Sequence, residues 1–307
     1  MKFIDMFCGI GTVRMGFEHA GHECVYSIEW DKWKRKIYSI IFGGEPEGGD
    51  ITKCRANELP KSDCWCFGAP CQDFSIAGKR AGLKGDRSSM VREVFRLLWE
   101  LEEEHRPKWL LYENVKGMLS SNKGYDFFEI LLEMEKLGYD CEWQVLNSKN
   151  FGVPQNRERV FTIGHLRRRS KRKIFPIRRE DKNTIKILGY LSDGYKDVNY
   201  VLNTTGIAKC LTKMEGGNRQ PKVLVKPVRG RVGKGIANTL DTKCQQGTLM
   251  QGRIRRLTPK ECWRLQGIQD IITNKVIAAG ISDTQMYRGA GDACTVNVIY
   301  EIAKRMS

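Results

Sequence analysis

Cys71 stands in Gly68-Ala69-Pro70-Cys71-Gln72, directly after an apolar run that reads as a strand. A cysteine at such a strand end is a candidate nucleophile, because a thiolate attacks carbon well even when only a few per cent is ionised. Pro70 fixes the backbone before it, while Gly78, Gly82 and Gly85 loosen the loop that follows. Glu113-Asn114 ends another apolar run and offers a carboxyl group at the same edge. Arg157 and Arg159, within Gln155-Asn156-Arg157-Glu158-Arg159, are two residues apart and so share one side of an extended segment. A nucleophile, an acid and a fixed cation form a kit for attacking a polarised ring. Cys24, Cys141, Cys210 and Cys262 read instead as small buried hydrophobes.

A second group points to a cofactor. Phe7-Cys8-Gly9-Ile10-Gly11 follows the first strand and opens a helix, where glycines let the backbone approach a ligand beside a helix N-terminus. Glu29 ends the second strand, in position to accept hydrogen bonds from ribose hydroxyls. Asp50-Ile51 follows the next break and can meet an adenine edge. Nicotinamide and S-adenosylmethionine enzymes share such geometry. Arg14 stands where the dinucleotide fingerprint needs its third glycine, which disfavours nicotinamide.

Alternating strands and helices must position these residues. Strands are expected over 2–7, 22–30, 62–69, 109–112, 139–146 and 159–164, with helices over 12–20, from Asp31, from about 88 to 104, and over 125–137. That rhythm predicts a parallel sheet covered on both faces. Beyond His165 it fails, and the stretch to about 253 reads as an irregular, strand-rich module. Thr258-Pro259-Lys260-Glu261 starts a new helix, and 295–306 reads as an amphipathic one.

The charge is uneven. The 307 residues carry 52 Lys+Arg against 36 Asp+Glu, a net +16. Residues 167–256 hold 23 against 6, a balance of +17, and the remainder 29 against 30. A neutral body with one basic module fits a polyanion gripped by that module. Hydrophobic content of 41% argues against disorder. No apolar run spans a membrane, and Met1-Lys2-Phe3-Ile4-Asp5 does not read as a signal peptide. Eleven scattered cysteines with no Cys-x-x-Cys pair fit a reducing cytoplasm and no structural zinc.

Taken in order, the motifs make the chain resemble the DNA (cytosine-5)-methyltransferases of bacterial and phage type. They are Phe7-Cys8-Gly9-Ile10-Gly11, Glu29-Trp30, Asp50-Ile51, Pro70-Cys71-Gln72, Glu113-Asn114-Val115, Gln155 to Arg159, Arg256-Leu257-Thr258 and Gly291-Asp292-Ala293. The resemblance implies a Rossmann-like S-adenosylmethionine-dependent methyltransferase fold, α/β with a mostly parallel sheet, plus a small irregular β-rich target-recognition domain. It divides the chain into a catalytic domain, 1–166 completed by a C-terminal helix 288–307, a recognition domain, 167–254, and a hinge, 255–287. It implies that Cys71 adds to C6 of a flipped-out cytosine, Glu113 protonates N3, Arg159 bonds O2 and Arg157 supports that arrangement. S-adenosylmethionine, leaving as S-adenosylhomocysteine, would meet Phe7, Gly9, Ile10, Gly11, Glu29, Trp30, Asp50, Ile51, Pro70, Asp292 and Ala293, with no metal involved. Double-stranded DNA would meet Ser75, Arg87, Thr239, Asp241, Thr242, Gln245, Gln246 and Arg256. A monomer is expected, with no membrane partner and a cognate restriction endonuclease acting without a stable complex.

One departure stands out: the family's last motif has Asn where this chain has Asp292, and an ionised Asp cannot donate. A transfer-RNA cytosine methyltransferase is the alternative on the same fold, but its Cys-Phe-Thr signature does not occur here. A nonenzymatic DNA-binding relative is disfavoured by intact Cys71, Glu113, Arg157 and Arg159. The charge division carries a test: neutralising residues 167–182 should weaken DNA binding and flatten its salt dependence, measured by titration, while cofactor binding survives. A parallel fall of both affinities would contradict it.

Overall fold

The computed structural model describes residues 1–68, 89–167, 169, 172–178, 187–190, 200–202, 206–211, 221–225 and 253–306. A six-stranded sheet has the order β2-β1-β3-β4-β7-β5. Its strands are β1 (Lys2–Met6), β2 (Glu23–Ile28), β3 (Cys64–Phe67), β4 (Trp109–Val115), β5 (Tyr139–Asn147) and β7 (Glu158–Leu166). The first four run parallel, but β7 is antiparallel to both β4 and β5. The sheet is therefore mostly parallel, as the resemblance implies, with β7 the reversed strand. Only the short segment 148–157 separates β5 from β7, too little for the helical crossover a parallel neighbour needs.

Strand alternation sends side chains to two helical layers. Ile4, Met6, Trp65, Phe67, Leu110 and Tyr112 pack with α3 (Ser89–Glu100) and α4 (Tyr125–Lys136). Phe3, Cys64, Cys66, Trp109 and Leu111 face the other way, where Phe17 of α1 (Thr12–His19) and Ile299 and Ile302 of α8 (Val296–Ala303) cover them. The C-terminal helix expected over 288–307 is two pieces. α7 (Asp283–Asp292) ends at Ala293, whose extended backbone turns the chain before α8.

A third core holds α2 (Lys32–Phe42), α5 (Pro259–Leu265), α6 (Asp270–Ala278) and α7 together through Ile37, Trp263, Val276 and Met286. The hinge expected over 255–287 is therefore itself a packed layer. Thr258 opens α5 with a capping box: its hydroxyl accepts from the Glu261 amide, and the Glu261 carboxylate accepts from the Thr258 amide. The second sheet, in the order β12-β11-β9-β8, is built of short strands: β8 (Ile187–Tyr190), β9 (Tyr200–Leu202), β11 (Lys222–Val225) and β12 (Arg253–Arg256). β10 (Ala208–Lys209) pairs in parallel with β6 (Gln155–Asn156), stitching this region to the first body.

The basic stretch does not begin a new body at 167. Ile174, Phe175 and Ile177 join the core beneath β4 and β7. The amides of Ile174 and Phe175 donate to Glu142, and Gln144 exchanges two hydrogen bonds with Ile177. Arg167 pairs with Asp140 and Glu135, and Arg169 donates to the carbonyls of Glu104 and Arg106. Residues 174, 175 and 177 thus pack with the first sheet, and Arg167 and Arg169 are bound by residues beside it.

One charged group intrudes into the sheet. Asp5 of β1 is buried, and its Oδ2 has no hydrogen-bond partner among the described residues. Burial pushes its carboxyl up to about 8, against the lowering effect of a backbone hydrogen bond from Arg14, and nearby Glu29 raises it further. The folded chain therefore holds this proton more tightly than the unfolded chain does. The corresponding stability is full below the ordinary value of 3.8 and lost as pH rises through about 8. Asp5→Asn should remove this dependence, so that urea melts show the variant gaining on the wild type as pH rises across that interval. A difference that stays flat would contradict the assignment.

Candidate active site and cofactor cavity

The carboxyl ends of β1 to β4 open on a cavity of about 790 Å3. It lies where the strand order reverses, with β2 on one side of β1 and β3 on the other, the usual ligand site of an open α/β sheet. The chain leaves β1 through Phe7, at φ 60°, and Gly9, at φ 60°. A left-handed Phe is a strained choice, and such strain gathers at ligand sites. Gly11 has another task. It does not line the cavity, and a Cβ there would lie 2.2 Å from the Phe42 ring, so glycine lets α2 pack against the start of α1.

Glu29 organises the cavity floor. It is buried, and its two oxygens accept from the amides of Gly9, at 2.9 Å, Trp30, at 3.0 Å, and Asp31, at 2.9 Å. A carboxylate offers about four acceptor sites, so one remains for a ligand. Trp30 is 78% exposed and lines the cavity, leaving an indole face open to a flat ring. Ile51 is buried at the wall, and Asp50 caps its turn by accepting from the Thr52 amide and hydroxyl. Phe7, Ile10, Asp50 and Ala293 also line the space. Apolar walls, one open aromatic face and a fixed carboxylate suit a nucleoside.

Asp292 lines the cavity too, paired with Lys34 Nζ at 2.9 Å. Lys34 lies one turn after Asp31, which caps α2 by accepting from the amides of Trp33 and Lys34. Burial disfavours the Lys34 charge, but Asp292 and Glu29 more than offset this and raise the ammonium above its ordinary value. Arg288 approaches Asp31 at 3.8 Å. Lys34 and Arg288 are not among the site residues that the motifs imply. Lys34 lies three residues after Asp31, where the sequence starts a helix, while Arg288 belongs to a helix far along the chain.

The acid and the cations meet at the far side. Glu113 faces Phe161 across the β4–β7 ladder, and Arg159, two residues along β7, shares that face. Arg159 Nε lies 3.2 Å from Glu113 Oε1. Gly68, leaving β3, runs against the same carboxylate, since a Cβ there would be 3.1 Å from Glu113 Oε2. Arg157 is a tie rather than a free cation. It is buried, with Nη1 donating to the Leu211 carbonyl at 3.1 Å and Nη2 to those of Gly291 and Ala293 at 3.1 and 2.9 Å. Gln155 is wholly buried and reinforces the junction, donating to the Leu265 carbonyl and accepting from the Leu211 amide. Asn114 accepts from the Val115 amide and donates to the Tyr112 hydroxyl, holding the strand end.

Of the other expected site residues, Arg256 is exposed at the end of β12. Pro70, Cys71, Ser75, Arg87, Thr239, Asp241, Thr242, Gln245 and Gln246 lie outside the described residues. The structure adds Cys210, whose sulfur approaches both Arg157 and Arg159. No local pattern distinguishes it from the other cysteines, because its neighbours come from fifty residues away. Among the described residues, no helix is long and apolar enough to cross a membrane.

Comparison with known proteins agrees with this geometry. Residues 1–307 match the family described as C-5 cytosine-specific DNA methylase. Type II methyltransferase M.DsaV of Dactylococcopsis salina is 33% identical over 318 residues, covering 100% of this chain and 86% of that protein. Type II methyltransferase M.HhaI of Haemophilus parahaemolyticus is 33% identical over 318 residues, covering 99% and 93%. The fold is shared with the solved Entamoeba histolytica methyltransferase EhMeth at a TM-score of 0.75 and 18% identity, covering 100% and 97%. With the full chain matched and Glu113, Arg157 and Arg159 gathered at one sheet edge, this protein belongs to the C-5 cytosine-specific DNA methylase family and is a DNA methyltransferase.

Proposed function

We propose that the chain transfers a methyl group from S-adenosylmethionine to C5 of a flipped-out cytosine in a specific duplex DNA sequence, through a covalent bond from Cys71 to C6. The observation that carries the reading is the meeting of Glu113, Arg159 and Gly68 beside the nucleoside-shaped cavity, three residues before Cys71 in the chain. The type II names of the relatives support site-specific methylation that protects DNA from restriction. The +17 balance of residues 167–256 supports phosphate contact by that part of the chain.

Cytosine C5 is a poor nucleophile until C6 is saturated. Attack by the Cys71 thiolate on C6 pushes electron density to C5, and Glu113 holds and protonates N3 so that charge does not build on the ring. Arg159 bonds the exocyclic O2, and the buried tie of Arg157 holds Arg159 and Glu113 in register. General acid help of this kind is worth about 10²–10⁴ in rate. S-adenosylmethionine, when bound, supplies an electrophilic methyl on a sulfonium. Trp30 would take the adenine, Glu29 the ribose, and Phe7 and Ile51 the apolar wall. Loss of the C5 proton then returns the electron pair that expels Cys71. A stacked base cannot reach such a site, so the cytosine leaves the helix.

A second reading has one observation in its favour. Cys210-Leu211-Thr212 differs at one position from the Cys-Phe-Thr of transfer-RNA cytosine methyltransferases, and Cys210 and Leu211 touch Arg157. Methyl acceptance by transfer RNA separates the two.

The mechanism is tested with duplex DNA containing 5-fluorocytosine, whose fluorine blocks the final elimination. The wild type should form an adduct that survives denaturing electrophoresis, and Cys71→Ser should form none; a Cys71→Ser protein with full methyl transfer would refute the covalent route. The cofactor assignment is tested at Asp292. Asp292→Asn keeps the side-chain shape but frees the Lys34 ammonium, so the dissociation constant for S-adenosylmethionine should fall or stay unchanged in calorimetry. Clear weakening would count against it.

A further inference from the structure

Cys210 follows β10, and the parallel pairing of β10 with β6 sets it beside the arginines that follow β6. Its sulfur lies 3.3 Å from Arg157 Nη1 and 3.9 Å from Arg159 Nη2, and 3.5 Å from the Leu211 carbonyl. The Arg159 guanidinium is thus engaged at three nitrogens: Nε by Glu113, Nη1 by the Glu158 carbonyl and Nη2 by the sulfur. A planar fork held at all three nitrogens cannot swing about its last bond without breaking contacts. We propose that Cys210 is a positioning residue, whose sulfur clasps Arg159 against Arg157 and so fixes the Arg159–Glu113 pair.

Burial by itself raises the Cys210 thiol, but the two guanidinium groups outweigh that and leave it below the ordinary thiol value. The sulfur therefore carries more negative character than a buried cysteine normally does, which strengthens it as an acceptor. It also places a softer, larger acceptor between two like charges that would otherwise repel. The role rests on the proposed function for what the Arg159–Glu113 pair does to the target ring. The contact itself joins a strand on the recognition side of the chain to the catalytic edge, so a shift of β10 would be felt at Glu113.

The test compares Cys210→Ala and Cys210→Ser in the full chain. Single-turnover methyl transfer should slow about 10–100-fold in Cys210→Ala, the usual cost of a small misplacement, while the dissociation constants for duplex DNA and S-adenosylmethionine stay within about threefold. Cys210→Ser, which keeps an acceptor, should recover most of the rate. An alanine variant as fast as the wild type, a serine variant as slow as alanine, or affinities that fall in step with the rate would each overturn the proposal. If the wild type forms no 5-fluorocytosine adduct, the functional reading fails separately. The clasp is then judged in urea melts, where Cys210→Ala and Arg159→Met should be non-additive, and additivity would overturn it.

Discussion

The buried guanidinium of Arg157 is the contact on which the arrangement depends. It spans the carbonyl of Leu211, just after β10, and those of Gly291 and Ala293, at the end of α7. A charge taken out of water is costly unless most of its donors are paired; here Nη1 and Nη2 are paired while Nε has no partner among the described residues, and two backbone segments are held to one side chain. Removing it would leave buried carbonyls unsatisfied at about 1–3 kcal/mol each. Its neighbours Gln155 and Arg159 lie in the flanking strands, Gln155 paired with Ala208 and Arg159 with Val115. Arg157, the Arg159–Glu113 pair and Ala293 thus meet at one side of the cavity.

The cofactor side follows a related rule, in which backbone amides rather than side chains are gathered by one carboxylate. Glu29 draws the amides of Gly9, Trp30 and Asp31 into one turn, and that turn sets both the Trp30 indole and the Asp31 helix cap. Asp5 lies below it, with an unsatisfied oxygen in the same cavity wall. Burial is the main reason Asp5 holds its proton, and the nearby Glu29 carboxylate adds to it. Lys34 and Asp292 complete the rim as a pair, so the Asp that departs from the family pattern has a cation of its own.

Much of this was legible where the signal is local. The glycine-broken first strand, the cap at Asp31, the capping box at Thr258 and the strand end at Glu113 are each written within a few residues. The shared face of Arg157 and Arg159 follows from their spacing. What could not be read is long-range. The direction of β7, the packing of Ile174, Phe175 and Ile177 under the sheet, and the clasp of Cys210 all depend on partners far along the chain. Counting charge located a basic segment but could not tell that Arg167 and Arg169 are occupied by the catalytic body. The carbonyl acceptors of Arg157 are likewise main-chain groups invisible to any residue pattern.

We propose that the site at the ends of β1 to β4 methylates cytosine in duplex DNA. It is tested most directly by incubating the protein with S-adenosylmethionine labelled on its methyl group and with duplex DNA or transfer RNA, then mapping the label. Label is expected on C5 of one cytosine within a recurring short sequence of the duplex, and none on transfer RNA. Label confined to transfer RNA, or placed on an exocyclic base nitrogen, would contradict it.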